Sequence, residues 1–532
     1  MIGSATISYF KNHAVSYMNR NYSTNTKLGF HPRVNSVISQ LNMIAPRFLL
    51  KDDEIDILTE PKDFYNQLKE KISSADERIF LSSLYIGKTQ HELIDCLSQA
   101  LEAKPNLKLH ILIDYLRATR EYPNPSSLTT VSTLLKKFGN HRVDIRLYHT
   151  PKLSGMSEKI VPKRFNEGFG LQHMKIYGFD DEVIISGANL SEDYFSNRQD
   201  RYYVFKNVNL TDYFFNLGKL ISQLSHKVSY LPHRDKILID WPTKNLTADP
   251  KLNLERFLVE TTHLLEPILH GERVAHYDND EYQKIIEKDL QIKEIENKKF
   301  AEDPEYNDRN TIVFPVSQLT PLLKPDISTE KPAILRLLSY LDSSTVSWTF
   351  TAGYFNMEPE IKRRLLTATS KSGEVITASP KANSFFKSSW PSKYIPPAYL
   401  YLCEQFLREV NGQEKENNIK VKEWEKGVVN TENGWSYHAK GIWISEPDET
   451  IPSITVIGSS NYTKRSYSLD LETNVVLITK DEKLKRKMQS EIDNINQHTR
   501  ELSIKDFEDN KDPDRNISWG VKILAKIFAN RL

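Results

Sequence analysis

An internal duplication is the sequence feature that most constrains the fold. The strand-like RIFLSSLYIG, a helical stretch and the strand-like LKLHILIDY follow one another from residue 78 to 115. A comparable order returns as VSWTFTAGYF, the helical PEIKRRLLTATS and GEVITASP between residues 346 and 380. Such β-α-β units place parallel strands side by side beneath covering helices. The sequence therefore predicts an α/β fold of two repeated domains, each a mixed sheet flanked by helices.

A polar motif is repeated together with the fold. HMKIYGFD (173–180) and HAKGIWIS (438–445) share a histidine and a lysine two residues apart. Each motif is followed by an asparagine, Asn189 in SGANLS and Asn461 in GSSNYT, and a carboxylate stands eleven residues further on, at Asp200 and Glu472. Four matching features in the same order predict that one copy supplies half of a site.

The histidines and lysines suit phosphoryl transfer. Because residues i and i+2 of a strand share a face, His173 and Lys175 are expected to point together, as are His438 and Lys440. One imidazole can attack phosphorus while the other protonates the departing oxygen. The lysine ammonium groups can stabilise the charged phosphate oxygens without a metal or a cofactor.

The asparagines and carboxylates are predicted to support this chemistry. Asn189 and Asn461 offer amide donors to the phosphate oxygens. Asp200 and Glu472 are suited to accept a hydrogen bond from the outer ring nitrogen of an imidazole, which orients the ring and stabilises its charged form. We also include Asp180 as a catalytic candidate, although it follows the strand and could instead tie the hairpin together. Its counterpart in the second copy is Ser445, a difference that we expect activity to survive.

A duplicated H-x-K with four residues and then Asp, followed by G-x-x-N, resembles the phospholipase D superfamily. The resemblance implies phospholipase D-like domains with one shared active site at their interface and a covalent phosphohistidine. It implies His173 as the nucleophile and His438 as general acid and then base, although the two roles could be reversed.

Longer stretches, IVPKRFNEGFGLQHMKIYGF (160–179) and GWSYHAKGIW (434–443), are similar to a fungal mitochondrial phosphatidyltransferase family of that superfamily, from about Asp52 onward. This resemblance implies transfer of the phosphatidyl group of CDP-diacylglycerol to glycerol 3-phosphate, giving phosphatidylglycerophosphate and CMP on the way to phosphatidylglycerol and cardiolipin. Cations near the motifs are candidates for the acceptor phosphate, with surface ion pairing as the alternative. They are Lys163, Arg164, Arg198, Lys464 and Arg465.

Two other functions remain open at this stage. A phosphodiester hydrolase of the same fold would use water in place of the alcohol acceptor, and a non-catalytic scaffold would only bind lipid. A nuclease fits poorly, because the net charge is +1 and no broad basic run accompanies the motifs. We therefore expect no nucleic-acid partner.

The N-terminal composition bears on location and domain limits. Residues 1–51 hold six basic and no acidic residues, which is typical of a mitochondrial presequence and disordered N-terminus, with a plain basic tail as the alternative. No apolar run is long enough to span a bilayer, which leaves a soluble protein or one associated with a membrane surface. With the family resemblance, we expect a peripheral protein of the mitochondrial inner membrane. The remaining segments are predicted as a first domain (52–235), a charged linker (236–325), a second domain (326–500) and a tail (501–532). WGVKILAKIFANRL in the tail could form an amphipathic helix on the membrane surface or dock on the protein.

Overall fold

The computed structural model describes residues 30–154, 160–271, 309–390, 392–508, 512–515 and 517–528. The predicted presequence up to residue 29 and the charged stretch 272–308 lie outside the described residues. Within the described ranges, none of the helices combines the length and the apolarity needed to cross a bilayer.

The strands of the described residues form two nine-stranded sheets and one short two-stranded pairing. The strands are β1 (Phe48–Leu50), β2 (Ile55–Leu58), β3 (Arg78–Ser83), β4 (Lys108–Asp114), β5 (Val143–Tyr148), β6 (Ile176–Phe179), β7 (Glu182–Ser186), β8 (Arg198–Gln199), β9 (Tyr202–Phe205), β10 (His226–Leu231), β11 (Lys236–Asp240), β12 (Thr311–Gln318), β13 (Ser347–Ala352), β14 (Ser372–Ala378), β15 (Ile419–Trp424), β16 (Ser436–Tyr437), β17 (Lys440–Ser445), β18 (Pro452–Gly458), β19 (Glu472–Thr479) and β20 (Thr499–Glu501).

Helices cover the outer faces of both sheets. The α-helices are α1 (Pro32–Asn42), α2 (Pro61–Ser74), α3 (His91–Ala103), α4 (Tyr115–Thr119), α5 (Ser127–Phe138), α6 (Lys163–Asn166), α7 (Glu192–Ser196), α8 (Val208–Ser222), α9 (Leu254–His270), α10 (Glu330–Leu338), α11 (Pro359–Thr367), α12 (Ile395–Gly412), α13 (Lys464–Ser468), α14 (Glu482–Asn496), α15 (Lys505–Glu508) and α16 (Trp519–Phe528).

The order of the strands confirms the duplication. The first sheet runs β11-β10-β5-β4-β3-β6-β7-β9-β2, and the second runs β1-β12-β19-β18-β17-β13-β14-β15-β20. In both, three parallel strands (β3-β4-β5 and β13-β14-β15) adjoin antiparallel strands that begin with β6 or β17. The predicted mixed sheets are therefore confirmed, and the histidine motifs stand at the same place in each.

Three large hydrophobic clusters hold the fold together. One lies under the outer helices of the first copy and another under those of the second. The third cluster contains side chains of both sheets, among them Ile176 and Tyr203 of the first and Trp443 and Ile457 of the second. The two copies therefore share a continuous apolar interface, which fixes the motif of one copy against the other.

A buried ion pair crosses this interface. The Arg201 guanidinium of the first copy donates to Glu491 Oε1 at 2.8 Å and to the carbonyl of Val456 at 2.7 Å. It also lies 3.8 Å from the ring centroid of Trp443. A Cβ at Gly441 would collide with this guanidinium, so the glycine after Lys440 provides the space that the crossing arginine needs.

The predicted disorder of the N-terminus up to residue 51 is wrong for residues 30–50. Helix α1 buries Val34, Val37 and Leu41 in the core of the second copy. Strand β1 then pairs antiparallel with β12 at the edge of the second sheet. Because this segment carries an apolar face as well as its basic residues, burying that face outweighs the mobility expected from composition.

The limits predicted for the linker and the tail also differ from the structure. Strand β11 pairs with β10 and belongs to the first sheet, whereas β12 belongs to the second, so both ends of the 236–325 linker are parts of the domains. Strand β20 pairs with β15 and carries the second sheet past residue 500. Short edge strands give weak sequence signals, which explains the shifted limits.

Candidate functional site

The site is built where the loops before β6 and β17 meet the other copy. The backbone N–H of His173 donates to the carbonyl of Leu471 at 2.9 Å, and that of His438 donates to the carbonyl of Gln199 at 2.8 Å. Strand β16, which ends just before His438, pairs in parallel with β8. Each histidine segment is therefore bound through its backbone to the segment of the other copy that carries the predicted carboxylate.

The carboxylates are exchanged between the copies. His173 Nδ1 lies 2.9 Å from Glu472 Oε1, and His438 Nδ1 lies 2.6 Å from Asp200 Oδ2. A carboxylate accepts, so the tautomer that carries its proton on Nδ1 fits both pairs and leaves Nε2 directed away from the carboxylate. Each half of the site thus depends on the other for the orientation of its imidazole.

The two lysines make the same backbone contact, but Lys440 Nζ also lies 2.7 Å from His438 Nδ1. Lys175 Nζ donates to the carbonyl of His173 at 2.6 Å, and Lys440 Nζ donates to the carbonyl of His438 at 2.7 Å. Both lysines are buried. A Cβ at Gly187 would approach Asp200 Oδ1 to 2.6 Å and Lys440 Nζ to 2.9 Å, so this glycine lets the two charged groups come together.

Burial lowers the pKa of both histidines well below its ordinary value. For His173 the next cause is the Lys175 ammonium, and for His438 it is the Lys440 ammonium. The charges of Lys175 and His173 also lower the pKa of His438, which places the two motifs within electrostatic reach of one another. At neutral pH both rings are neutral, and a neutral imidazole keeps the Nε2 lone pair that a nucleophile requires.

Burial also brings the pKa values of the charged partners toward neutrality. It lowers the pKa of Lys175 to about 7 and that of Lys440 to about 8. Burial raises the pKa of Glu472 to about 7 and raises the pKa of Asp200 in the same direction. The site is therefore a buried set of groups close to proton exchange, as general acid–base chemistry requires.

The two asparagines have different surroundings. Asn189 is buried, and its Nδ2 donates to the hydroxyl of Tyr194 at 3.0 Å. Asn461 Oδ1 is buried without a hydrogen-bond partner among the described residues. Since buried polar atoms are nearly always satisfied, Asn461 is suited to meet a polar group of a bound molecule.

Two of the predicted acceptor-binding cations lie beside the histidines. Arg198 is buried, donates to Asp193 Oδ2 at 2.9 Å, and its charge acts on His438. Arg465 donates to Asp470 Oδ2 at 2.9 Å, and its charge acts on His173. Lys464 is exposed at the start of α13. The side chains of Lys163 and Arg164 lie outside the described residues.

Asp180 does not belong to this constellation. It follows the last residue of β6, whereas His173 precedes the first, and its carboxylate accepts the backbone N–H groups of Asp76, Glu77 and Arg78 at 2.7 to 2.9 Å. Ser445 accepts the N–H of Ser347, the corresponding residue of the second copy, at 2.9 Å. The catalytic assignment of Asp180 is therefore corrected to a structural one. Its carboxylate ties the turn between β6 and β7 to the start of β3, and a serine can make a similar contact.

Two tyrosines that the motifs did not indicate pack against His438. The ring centroids of Tyr194 and Tyr354 lie 5.2 and 5.5 Å from that of His438, both edge to face, and the Tyr194 hydroxyl lies 3.4 Å from His438 Nε2. Tyr194 stands five residues after Asn189, where the second copy has Ser466. The only sequence signal for Tyr194 was its fixed distance from the motif asparagine. This signal was weak, because the second copy has a serine and not a tyrosine at the same distance.

Two aspartates hold the chain just before His173. Asp114 Oδ2 accepts the N–H of Gln172 at 3.0 Å, and Asp470 Oδ1 accepts the N–H of Leu171 at 2.9 Å. Burial raises the pKa of Asp114 to about 8. These carboxyl groups fix the backbone from which the imidazole projects. Neither lies in a repeated motif, so sequence reasoning missed them.

Comparison with known proteins agrees with this architecture. The family described as "Cardiolipin synthase, PLD-like domain" matches residues 337–496. The crystal structure of phosphatidylserine synthase from Haemophilus influenzae is similar in fold, with a TM-score of 0.62 and 19% identity over 93% of this chain and 97% of that one. The fold and the repeated motif together define a phospholipase D-like protein.

Two curated relatives narrow this class. CDP-diacylglycerol–glycerol-3-phosphate 3-phosphatidyltransferase of Saccharomyces pastorianus is 48% identical over 93% of this chain and 92% of its own length. The chicken protein of that name, which is designated mitochondrial, is 30% identical over 92% of this chain and 85% of its own length. The chain belongs to the CDP-diacylglycerol–glycerol-3-phosphate 3-phosphatidyltransferase family.

Proposed function

We propose that this protein transfers the phosphatidyl group of CDP-diacylglycerol to glycerol 3-phosphate through a phosphatidyl-histidine, and that both copies contribute to one active site. The observation that carries the mechanism is the exchange of carboxylates, His173 with Glu472 and His438 with Asp200. Family membership supports the choice of the two substrates.

In the first half-reaction, Nε2 of His173 attacks the phosphorus that bears diacylglycerol. The bond from that phosphorus to the CMP oxygen breaks, and CMP leaves with its electron pair. The Nδ1 proton of His173 is held by Glu472, which stabilises the positive charge that the ring acquires. The neutral ring of His438 has no proton on Nε2 to give, so CMP leaves as a phosphate anion, and Lys175 and Lys440 stabilise the charge on the phosphoryl oxygens.

In the second half-reaction, His438 takes the proton of a glycerol 3-phosphate hydroxyl. That oxygen attacks phosphorus, the bond to His173 Nε2 breaks, and phosphatidylglycerophosphate is released. Asp200 stabilises the resulting imidazolium of His438. We assign the nucleophile to His173 because no hydrogen bond to its Nε2 is found among the described residues, whereas Nε2 of His438 faces Tyr194.

The phosphate group of the acceptor, which is separate from the reacting phosphorus, requires cations at the edge of the site. The charge of Arg198 acts on His438 and that of Arg465 acts on His173, which supports this role for both arginines. The guanidinium fork of arginine suits a phosphate dianion better than a point charge does. Lys163, Arg164 and Lys464 are further candidates from the sequence.

The location that fits this activity is the surface of the mitochondrial inner membrane, where a lipid substrate is present. The name of the chicken relative supports the mitochondrion. The basic, acid-free N-terminal sequence supports import. A nucleic-acid partner is not part of the proposal, since the net charge of +1 gives no cationic footprint.

A CMP-release assay tests the function. The purified protein is incubated with CDP-diacylglycerol in detergent micelles, with and without glycerol 3-phosphate. We expect CMP release to follow the acceptor, with phosphatidylglycerophosphate as the product. Equal release without acceptor, with phosphatidic acid as the product, would identify a hydrolase instead.

A trapping experiment tests the mechanism. Incubation with CDP-diacylglycerol labelled in its diacylglycerol phosphate should label the protein, and His173→Ala should remove the label and reduce turnover by about 10³-fold or more. His233→Ala is a matched control, because His233 lies in the short turn between β10 and β11. Normal labelling of the His173→Ala variant would refute the assignment of the nucleophile.

A further inference from the structure

Large exposed apolar side chains are carried by three segments that are linked to the site by side-chain contacts. Ile160 and, in α6, Phe165 belong to the segment before His173, and Trp390 and Tyr394 belong to the segment before α12. Trp519 begins α16 and is 79% exposed. We call these five residues, together with Leu524 of α16, the apolar rim.

The segment from Phe385 to Tyr399, which includes the start of α12, is linked to the site through Tyr354. Phe385 and Tyr399 both lie against the ring of Tyr354, with centroids 6.2 and 5.5 Å away. Tyr354 in turn contacts His438 edge to face. Trp390 therefore projects, 67% exposed, from a segment whose two ends rest on an active-site side chain.

The other two segments adjoin the same region. Arg465, whose charge acts on His173, donates to the carbonyl of Glu167 at 2.8 Å, two residues from Phe165. Helix α16 packs Val521 and Ala525 against Ala398 and Tyr401 of α12. One face of α16 is thus docked on the protein, as one of the two predicted alternatives stated, while Trp519 and Leu524 remain exposed.

The charge of two of these segments favours an anionic partner. Residues 383–403 and 516–532 contain lysines and one arginine but no aspartate or glutamate. Lys393 lies 5.2 Å from the ring centroid of Tyr394, and Lys522 lies 5.9 Å from that of Tyr401. Tryptophan and tyrosine next to lysine are typical of protein surfaces that rest at the headgroup level of a bilayer.

We infer that the apolar rim is the surface by which this protein docks on an anionic bilayer. This inference rests on the proposed function, because a phosphatidyl donor must pass from the bilayer to His173. Docking through the rim brings the lipid phosphate to the site while the acyl chains stay in the membrane. The rim residues insert among the headgroups, and the lysines pair with anionic phosphates.

Vesicle flotation tests the inference. The probe is a phosphatidylcholine vesicle with or without phosphatidylglycerol, and the protein is the full chain. We expect the double variant Trp390→Ser/Trp519→Ser to bind phosphatidylglycerol vesicles at least tenfold more weakly. The matched control Met43→Ser/Leu252→Ser removes two side chains that are 78% and 80% exposed elsewhere, and it should bind as the wild type does.

Charge-reversal variants test whether the membrane surface must be anionic. Lys393→Glu/Lys522→Glu should remove the preference for phosphatidylglycerol vesicles, whereas Lys244→Glu at an exposed site in the loop after β11 should not. Unchanged flotation of both the double tryptophan variant and the double lysine variant would overturn the inference. So would a rim-dependent self-association in sedimentation, because a second copy would then be the occupant.

Micelle activity separates this inference from the proposed function. The rim variants should release CMP from CDP-diacylglycerol in detergent micelles within about twofold of the wild type, since no rim side chain contacts a histidine of the site. A wild type that floats with anionic vesicles but releases no CMP would refute the proposed function and leave the rim supported. Rim variants that float normally but lose micelle activity would refute the rim.

Discussion

His173 and His438 occupy corresponding places in two copies of one fold, yet their Nε2 atoms have different surroundings. Side-chain exposure is 12% for His173 and 5% for His438. His438 is enclosed by Tyr194 and Tyr354, and the Tyr194 hydroxyl faces its Nε2. The more accessible imidazole is the better placed of the two to attack a phosphorus atom.

The carboxylates that orient the two imidazoles also differ, both in residue type and in the hydrogen bonds that they accept. The carboxylate that orients His173 is a glutamate, and it also accepts from the Ser459 hydroxyl at 2.5 Å. The carboxylate that orients His438 is an aspartate, and it accepts from the backbone N–H of Arg201 at 2.9 Å. The two imidazoles therefore have similar supports that are chemically unequal.

The largest effect on this comparison is expected from the exchanged carboxylates. Glu472→Gln and Asp200→Asn should each lower kcat by about 10³-fold, because an amide can donate to Nδ1 and thus favour the wrong tautomer of the ring. The two variants should differ in the trapped intermediate. Glu472→Gln impairs formation of the phosphatidyl-histidine, whereas Asp200→Asn impairs mainly the second step and lets the intermediate accumulate.

Rapid-quench labelling with CDP-diacylglycerol measures both steps. Glu482→Gln serves as the control, because this glutamate is 56% exposed and pairs with Lys485 on α14. Equal intermediate levels in the two variants would contradict the division of roles. A loss below tenfold in both would show that the carboxylates do not control the tautomers.

The sequence predicted the members of the site better than their connections. The repeated spacing of histidine, lysine and asparagine identified both halves, although both histidines lie in the loops before β6 and β17 and the expected alternation along a strand does not apply to them. The crossing of Glu472 to His173 and of Asp200 to His438 has no local signal. It follows from how the two sheets pack across the cluster that contains Trp443 and Tyr203.

Composition misled the prediction for the N-terminal segment for a related reason. Residues 30–50 are basic and free of acidic residues, yet Val34, Val37 and Leu41 fill a groove on the second copy. Charge content is summed over a window, whereas burial depends on which side chains share a helix face. Tertiary contacts therefore determine the structure of residues 30–50, although their composition alone indicated disorder.

Asp180 and Ser445, at corresponding positions of the two copies, are expected to differ in their contribution to protein stability and not in any role in catalysis. Asp180→Ala removes the acceptor of three backbone N–H groups and should lower the free energy of unfolding by about 2 kcal/mol. Ser445→Ala, with one such bond, should cost about 1 kcal/mol. Turnover per folded molecule should stay within about twofold in both variants.

Thermal unfolding and active-site titration by trapping check this pair together. Asp181→Ala is the neighbouring control, since Asp181 is exposed and its pairing with Arg78 is long, at 3.9 Å. If Asp180→Ala lost the phosphatidyl-histidine at unchanged stability, Asp180 would return to the catalytic set. A stable and fully active variant would instead show that the backbone contacts contribute little.

The smallest effect on the reaction rate is expected from the contact between the Tyr194 hydroxyl and Nε2 of His438, which has no counterpart at His173 among the described residues. Tyr194→Phe keeps the ring against His438 and removes only a neutral hydroxyl contact of 3.4 Å, worth about 1 kcal/mol at most, so the rate of the second half-reaction should change by no more than about fivefold. Because Asn189 donates to this hydroxyl, its own proton is free to reach Nε2 and stabilise the neutral imidazole. The acidic limb of the pH profile of kcat should therefore move to higher pH, while formation of the intermediate stays unchanged. Tyr65→Phe, whose hydroxyl binds Glu92 on the outer surface, should move neither rate nor limb. An unshifted limb in Tyr194→Phe would mean that burial and the lysine charges alone keep His438 neutral.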